Sequence, residues 1–491
     1  MMNIFLQNLK YEYEIHMLIN TFAKIECEFK DIIHWDSLQA EYLLVKESHC
    51  AENGSENIIY VNCRAILNGK SYDINETAKN NKRDIKNAYK RCVYHIMADI
   101  TSKQLPWGIL TGIRPVKIIH ELKNNHPELS LEQIKSVIHS EYLVSVEKVD
   151  LMEIISDIQA PVVNQIDENS YSIYISIPFC PSRCNYCSFY SNDIKQKGHL
   201  CDSYIEALEQ EIKGTLALDW VKSKRLDSIY VGGGTPTSLD AKHIEKLLKL
   251  LNQTFDFSKL KEVTYEAGRP DTITSEKLAV LKKYGVDRIS INPQSMVDKT
   301  LKTIGRNHNS KSIEDVFKLA REHGFDNINM DIILGLQDED LEDVKYTLEK
   351  ISQLDPDSIT MHTLSIKRAS KLNQELDLDE ISRQEKNITD MIALVYQYMN
   401  KIGMKPYYLY RQKNILGGFE NVGFAKENKE SWYNIVIMEE IQNIMAFGSG
   451  SVSRFIFPKE NRIEKVSNIK NLESYLEKID EMIILKRAEM I

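Results

Sequence analysis

The sequence predicts an α/β fold with parallel strands, flanked by an N-terminal α+β domain and a C-terminal mixed domain. Short β-like runs alternate with amphipathic stretches from about Tyr171 to Leu364, which is typical of strands joined by right-handed crossovers. The pattern before residue 165 is different. A length of 491 residues also exceeds what one hydrophobic core usually serves. We therefore predict three domains, at 1–165, 166–380 and 381–491.

The N-terminal residues predict an accessory domain of their own. In "NIIYVNCRAILNGKSYDI", two β-like runs flank the dipeptide Asn68-Gly69, which strongly favours a two-residue hairpin turn. The next segment, "NKRDIKNAYKRCVYHIMADI", predicts a long helix. These elements do not continue the later strand–helix alternation, and they carry no motif to which we assign chemistry.

The central residues predict six strand–helix units, forming either an open doubly wound sheet or a partial barrel. The predicted strands are 171–177, 226–232, 261–267, 287–293, 326–334 and 356–364. Between them, Tyr204, Leu208 and Ile212 recur every four residues, and Ser275 and Gly285 are the expected caps of another helix. In either architecture, ligands are expected at the carboxyl ends of the strands. After about residue 380, a helix leads into mixed α and β segments.

Composition excludes several classes of protein. Hydrophobic residues make up 43% of the chain and charged residues 27%, as in ordinary globular proteins. The net charge of −9 and the lack of a basic block argue against a nucleic-acid partner. No apolar run is long enough for an integral membrane segment, and "MMNIFLQNLKYEYEIHMLIN" lacks the apolar core of a signal peptide. We therefore expect a cytoplasmic protein, in which cysteines are thiols or metal ligands.

Three cysteines follow the first predicted strand in "IPFCPSRCNYCSFY": Cys180, Cys184 and Cys187. A [4Fe–4S] cluster held by three thiolates leaves one iron open to a substrate or cofactor, whereas a structural zinc site usually needs four ligands. Two other interpretations remain open: a zinc site completed by a distant ligand, and cysteines that are simply small buried side chains. The other five cysteines have no partner spacing and are expected to be ordinary thiols.

With this spacing directly after a strand, the chain resembles the radical S-adenosylmethionine (SAM) superfamily, whose core is a (β/α)6 partial barrel. "GGGTPT" after the second strand is similar to the glycine motif that contacts the methionine end of SAM. More narrowly, "YISIPFCPSRCNYCSF" resembles the oxygen-independent coproporphyrinogen III dehydrogenase family, and "LPWGILTGIRPVKI", "HTLSIKRAS" and "PYYLYRQKN" resemble its HemZ-type branch. The likeness covers about 165–480.

The resemblance implies a [4Fe–4S] cluster on the three cysteines and a SAM site at the strand ends. Glu266 in "VTYEAGRPD" matches a carboxylate for the ribose or amino group, and an arginine suits the methionine carboxylate. The implied cofactor-binding residues are Tyr174, Tyr186, Gly233, Gly234, Thr235, Glu266, Gln294, Arg306 and Asp331. Taken singly, each of these residues is more often structural, and the prediction depends on their occurrence together at successive strand ends.

The resemblance also implies an activity. In this family, electron transfer from the cluster to SAM generates a 5′-deoxyadenosyl radical, and the propionate side chains of coproporphyrinogen III are converted into the vinyl groups of protoporphyrinogen IX. Because the substrate carries carboxylates, Lys367, Arg368 and Arg411 are candidate substrate contacts, although exposed charges are an equally good interpretation. An electron donor such as flavodoxin or ferredoxin is the implied partner.

Two departures from the family pattern keep an alternative open. Phe189 stands where many dehydrogenases of the group have a further cysteine, and Ser176 stands at the usual histidine. A haem-chaperone branch of the same family also ends its triplet in Cys-x-Phe. That branch has a His-Asn pair before a C-terminal tyrosine, whereas the nearest segment here, "ESWYNIVIMEE", has no histidine. A radical SAM enzyme that modifies nucleic acid is a third and less favoured interpretation.

Overall fold

A computed structural model describes the chain except for residues 1, 24, 35–40, 50–57, 113, 365–377, 412–418, 461 and 489–491. It divides into two compact units, Met1–Ser156 and Asp157–Ile491. The predicted boundary at 165/166 lies a short way into the second unit. The predicted boundary at 380/381 lies within that unit, and strands from both sides of it belong to one sheet. The division into three domains therefore stays a prediction.

Among the described residues, the first unit contains a five-stranded mixed sheet, four whole helices and the first part of a fifth helix. Its strands are β1 Met2–Leu6, β2 Cys27–Asp31, β3 Tyr42–His49, β4 Ile58–Leu67 and β5 Lys70–Lys79, and its helices are α1 Glu12–Phe22, α2 Lys82–Thr101, α3 Lys117–Asn125, α4 Leu131–Tyr142 and α5 Val146–Val163, which continues into the second unit. The strand order is β2-β1-β3-β4-β5. Asn68 and Gly69 have φ values of 51° and 74° and join β4 to β5, which confirms the hairpin. The 20-residue helix α2 confirms the long helix predicted after this hairpin.

The second unit is built on an eleven-stranded sheet. Its strands, with the short pair β7 and β8 that lies outside the sheet, are β6 Ser170–Ile177, β7 Phe179–Cys180, β8 Asn192–Asp193, β9 Arg225–Gly233, β10 Glu262–Glu266, β11 Arg288–Ser290, β12 Ile328–Leu334, β13 Ser358–Thr363, β14 Lys405–Arg411, β15 Glu420–Ala425, β16 Asn443–Phe447, β17 Val452–Phe457 and β18 Arg462–Ser467. The order is β14-β15-β13-β12-β11-β10-β9-β6-β16-β17-β18. All six predicted strands are present, parallel and in sequence order.

Helices follow most of these strands, as the crossover pattern requires. They are α6 Ile194–Lys197, α7 Cys201–Leu216, α8 Asp219–Lys222, α9 Ala241–Thr254, α10 Ser275–Lys283, α11 Asp298–Thr303, α12 Ser310–Glu322, α13 Leu341–Leu354, α14 Leu378–Lys401, α15 Trp432–Glu439, α16 Leu472–Glu477 and α17 Ile479–Ala488. Tyr204, Leu208 and Ile212 of α7 are fully buried, which confirms that stripe. The strand–helix alternation confirms the predicted α/β class.

The two faces of the parallel strands differ in chemistry because side chains alternate along a strand. One face carries buried apolar residues such as Ile173, Ile229, Val263 and Met330. The alternate positions carry polar or aromatic side chains, and Arg288 Nη2 reaches across this second face to Ser358 Oγ at 2.6 Å. Parallel strands that are packed against helices on both faces usually have continuous apolar sequences. The polar face is therefore suited to line a ligand cavity.

Candidate cofactor site

The cysteine loop begins directly after β6 and is closed by the short parallel pair β7 and β8. Asn192 closes the loop by donating from its backbone N–H and from Nδ2 to the carbonyl of Pro178, at 2.8 and 3.0 Å. Asn185, between the second and third cysteines, donates from Nδ2 to the carbonyl of Thr303 at 2.9 Å. The backbone N–H of Cys187 donates to the carbonyl of Cys184 at 3.2 Å. The loop therefore has a defined path although it contains little regular structure.

Two of the three thiols face hydrogen-bond donors from neighbouring strand ends. Thr235 Oγ1 lies 3.5 Å from Cys180 Sγ. Arg269 Nη1 lies 3.5 Å from Cys184 Sγ. Hydrogen bonds to cysteine sulfur of this kind also occur in iron–sulfur clusters.

The glycine motif at the carboxyl end of β9 brings its backbone close to the first cysteine. Gly233 has a φ of 114°, a conformation that favours glycine. A Cβ atom on Gly234 would lie 2.7 Å from the Phe179 carbonyl oxygen and 2.9 Å from Cys180 Sγ. The backbone N–H of Gly234 donates to the carbonyl of Ile177 at 2.9 Å. Glycine is therefore required at 234 by the close approach of the cysteine loop.

Glu266 lies at the carboxyl end of β10 on the polar face. Its Oε1 accepts a hydrogen bond from Tyr230 OH at 2.5 Å. Burial, helped by the nearby charge of Asp331, raises the pKa of Glu266 to about 7, although the Tyr230 hydrogen bond acts in the opposite direction. Asp331 on β12 accepts from Asn329 Nδ2 at 2.7 Å and lies 3.7 Å from His362 Nε2. Two carboxyl groups thus share this face.

Arg306 and Gln294 come from loops that follow β11. Arg306 Nη2 donates to Tyr186 OH at 2.5 Å, while its buried Nε has no hydrogen-bond partner among the described residues. Gln294 has a φ of 68°, and its backbone N–H donates to the carbonyl of Asp331 at 2.9 Å. The structure therefore brings Tyr186 of the cysteine loop to Arg306, and it ties Gln294 to the strand that carries Asp331.

Tyr174 belongs to a stack of three tyrosines. Its ring lies 6.0 Å from that of Tyr230 and 6.2 Å from that of Tyr433, and the rings of Tyr230 and Tyr433 are 4.6 Å apart. Tyr433 comes from α15, in the segment "ESWYNIVIMEE". The stack joins β6, β9 and this C-terminal helix, and through Tyr230 it contacts Glu266.

The substrate candidates have different positions. Lys367 and Arg368 lie outside the described residues. Arg411 is buried in β14 opposite Glu420, and burial lowers its pKa to about 10. Its charge is thus held inside the unit, and its role as a substrate contact stays a prediction.

The two departures from the family pattern also differ from each other. Ser176 is buried, and its Oγ donates to the carbonyl of Ser449 at 3.0 Å. Phe189 is 68% exposed. Ser176 therefore has a packing role in this chain, while Phe189 points largely to solvent.

The residues present fit an iron–sulfur cluster with an adjacent ligand. Among the described residues, no three His, Cys, Asp or Glu side chains converge on a single ion position. A [4Fe–4S] cluster does not need such a point, since each thiolate binds its own iron. The described cysteines, including Cys180, Cys184 and Cys187, are free thiols, and the carboxyl groups of Glu266 and Asp331 suit an ammonium or ribose hydroxyls.

Comparison with known proteins decides the family. Residues 174–351 match the radical SAM superfamily. The chain is 40% identical over 416 residues to the "oxygen-independent coproporphyrinogen-III oxidase-like protein HemZ" of Bacillus subtilis (strain 168), covering 84% of this chain and 82% of that protein. The chain belongs to this oxidase-like family of the radical SAM superfamily. The predicted cofactors, a [4Fe–4S] cluster and SAM, are those of the superfamily.

Other relatives of this radical SAM protein carry different names. It is 33% identical over 284 residues to heme chaperone HemW of the same B. subtilis strain, covering 57% of this chain and 70% of HemW. The structure of coproporphyrinogen III oxidase HemN from Escherichia coli matches with a TM-score of 0.52 and 22% identity, covering 67% of this chain and 73% of HemN. This likeness confirms the radical SAM fold. Oxidase-type and chaperone-type relatives thus share the scaffold.

Sequence reasoning missed several residues that the structure places at the site. Arg269 and Asp271 lie in the quoted "VTYEAGRPD", three and five positions after Glu266. Their place at the same strand end could have singled them out. Tyr230 and Tyr433 gave no such signal, because an isolated tyrosine in a strand or helix usually packs in the core.

Concerning the membrane, none of the described helices is both long and apolar enough to cross one.

Proposed function

We propose that this protein carries out the oxygen-independent oxidative decarboxylation of coproporphyrinogen III to protoporphyrinogen IX. When bound, the cluster and SAM supply a carbon-centred radical that removes a hydrogen atom from a propionate side chain. Transfer of one further electron to an external one-electron acceptor, together with loss of CO2, then leaves a vinyl group. The proposal is supported by likeness to an oxidase-like protein over 84% of the chain.

In this proposal, the described residues bind and orient the cluster, SAM and the substrate. Cys180, Cys184 and Cys187 hold the cluster, and Glu266 and Asp331 hold the amino or ribose groups of SAM. The remaining proposed SAM contacts are Tyr174, Tyr186, Gly233, Gly234, Thr235, Gln294 and Arg306. Arg411, with Lys367 and Arg368 outside the described residues, is proposed to meet substrate carboxylates. The electron donor is proposed to be a flavodoxin or ferredoxin.

One observation favours decarboxylation over haem delivery. The segment that would carry the chaperone's haem ligand has no histidine, and its Tyr433 is buried, with its ring stacked 4.6 Å from that of Tyr230. This segment therefore contributes to packing and offers no imidazole for an axial bond to iron. The second candidate, a haem chaperone without dehydrogenase activity, is supported by the 33% identity to HemW.

The test is an anaerobic assay of the reconstituted full-length protein. Protein, SAM, a reductant and coproporphyrinogen III are incubated, and porphyrins are separated after oxidation. We expect products with one and then two vinyl groups, together with methionine and 5′-deoxyadenosine. The Cys184→Ser variant, which cannot hold the cluster, is the matched control. Tight haem binding without vinyl products would replace this proposal with the chaperone function.

A further inference from the structure

Arg269 has contacts that the SAM-binding set does not explain. It follows β10 in the segment "GRPD", and its side chain is 4% exposed. Nη1 lies 3.5 Å from Cys184 Sγ, and both Nη1 and Nη2 lie 3.3 Å from Ser182 Oγ. A buried guanidinium is thus directed at a proposed cluster ligand and at the loop segment before it.

The charge of Arg269 is balanced by one carboxylate. Asp271 accepts from Arg269 Nε and Nη2, at 2.9 Å for each bond. Burial acts to raise the pKa of Asp271, but the neighbouring His308 and Arg269 outweigh it and hold that pKa well below its usual range. His308 Nδ1 lies 3.6 Å from Asp271 Oδ1. The carboxylate therefore stays ionised, and it fixes the plane of the guanidinium so that Nη1 faces the sulfur.

We propose that the Arg269–Asp271 pair sets the reduction potential of the iron–sulfur cluster through the Nη1 contact with Cys184. The inference rests on the cluster of the proposed function and concerns the equilibrium of that cluster with any one-electron donor. Hydrogen bonds to cluster sulfurs and the net local charge determine the potential of such clusters. Adding an electron makes the cluster more negative. A cationic donor at Cys184 therefore favours the reduced state and raises the potential, while Asp271 lowers it.

This electrostatic role predicts shifts of opposite sign, which a purely structural role would not produce. In Arg269→Gln, a positive charge is lost and the potential should fall. In Asp271→Asn, a negative charge is lost and the potential should rise. In Arg269→Lys, the charge remains but the fork geometry is lost, so the potential should stay closer to that of the unaltered protein.

The chain offers a matched control at the other end of the sheet. Arg225, the first residue of β9, donates from Nε to Asp227 Oδ1 at 2.8 Å. This pair has the same sequence spacing as Arg269 and Asp271, but it lies at the amino end of a strand, away from the cysteine loop. Arg225→Gln removes an ion pair of the same sequence spacing, in which the arginine is half exposed, and it should leave the potential unchanged.

The experiment is a redox titration of anaerobically reconstituted full-length protein without SAM, followed by electron paramagnetic resonance. For Arg269→Gln, we expect the potential to fall by about 59 mV or more, which for a one-electron couple is a tenfold drop in the reduced-to-oxidised ratio. Asp271→Asn should shift the potential upwards. Iron and sulfide content is measured for each variant, so that the potentials refer to intact clusters.

The outcomes separate this inference from the proposed function. Full cluster content in Arg269→Gln with the potential of Arg225→Gln would overturn the inference. If Arg269→Gln holds no cluster, Asp271→Asn decides, and an unshifted or lower potential in that variant would overturn it. If the unaltered protein itself assembles no cluster, the proposed function fails.

Discussion

Glu266 is the proposed SAM contact whose charge depends most on its surroundings. Burial raises the pKa of its carboxyl group to about 7 in the ligand-free protein. A ligand that carries an ammonium group favours the ionised carboxylate. Binding of SAM near or below this pH is therefore expected to release a proton from Glu266.

We accordingly predict that the affinity for SAM rises with pH up to about 7 and then levels off. Well below that pH, the protonated carboxyl group must first lose its proton, so affinity should fall about tenfold per pH unit. Equilibrium dialysis between pH 6 and pH 8 measures the profile. Glu266→Gln should bind more weakly at pH 8 and show a flat profile. An unchanged slope in this variant would exclude Glu266 as the titrating group.

Tyr230 provides a second test at the residue scale. Its hydroxyl donates to Glu266 Oε1 at 2.5 Å and favours the ionised form. In Tyr230→Phe, the pKa of Glu266 should therefore rise, and the midpoint of the SAM-binding profile should move to higher pH. A midpoint that stays in place or moves lower would show that this hydrogen bond does not control the carboxyl group.

At this scale, sequence reasoning found the motif residues but not their long-range partners. Cys180, Cys184 and Cys187 stand in one short stretch, so their spacing alone predicts a cluster loop. The contact between Arg269 and Cys184 joins residues from two different loops. It becomes visible only when the parallel strands place both loops at one edge of the sheet.

At the scale of elements, the glycine motif at the end of β9 and the cysteine loop after β6 pack directly against each other. The backbone N–H of Thr235 donates to the carbonyl of Phe179 at 2.8 Å. An alanine Cβ at Gly234 would meet Phe179 backbone and Cys180 Sγ below van der Waals distance. One of the two loops would have to move. The end of a flexible side chain can rotate away from an added methyl group, but the backbone atoms of Phe179 cannot.

We predict that Gly234→Ala reduces the iron and sulfide content of reconstituted protein severalfold while the fold is kept. Iron and sulfide assays with circular dichroism measure both properties. Gly198→Ala is the matched control, because a Cβ there meets only Ile194 Cγ1, at an ordinary 3.5 Å. Equal cluster content in the two variants would show that the loops tolerate the added methyl group.

Element boundaries show what local sequence can and cannot predict. Gly285 was expected to end α10, and its φ of 76° agrees with that position. Ser275 was expected to be the N-cap, which is wrong: Thr274 caps the helix by accepting from the backbone N–H of Lys277 at 3.3 Å. Thr274 and Ser275 are both residue types that favour the N-cap position, so the sequence does not distinguish them. The path of the preceding chain decides which of the two caps the helix.

At the scale of the whole second unit, a buried ion pair joins α7 to the C-terminal helix α17. Lys486 pairs with Glu211, and both side chains are fully buried. Glu211 also accepts from Tyr475 OH and Asn468 Nδ2, at 2.6 Å each, and from the backbone N–H of Gly448 at 2.9 Å. The network therefore holds the C-terminal elements against the core helix that follows the cysteine loop.

We predict that Lys486→Met destabilises the second unit by about 3–5 kcal/mol, because it leaves the Glu211 carboxylate buried without its counter-ion. The midpoint of urea unfolding, followed by tryptophan fluorescence, measures the loss. The double variant Glu211→Gln with Lys486→Met should lose less than the single one, because no charge then remains buried. A larger loss in the double variant would contradict this electrostatic explanation.

The C-terminal strands were the part of the fold least accessible from sequence. The residues after 380 indicated only mixed structure, yet β16 pairs in parallel with β6, and β15 pairs with β13. The six parallel strands were predictable because each lies one helix away from the next. The pairing of β16 with β6 joins residues about 270 positions apart, and local periodicity carries no information on such a partner.

The central claim is that three thiolates hold a cluster with one iron open to SAM. Electron paramagnetic resonance of the reduced, anaerobically reconstituted protein tests it directly, with and without SAM. We predict a [4Fe–4S] signal that changes shape when SAM is added, because SAM binds the open iron. Zinc at the three cysteines, or a cluster signal that SAM leaves unchanged, would contradict the account.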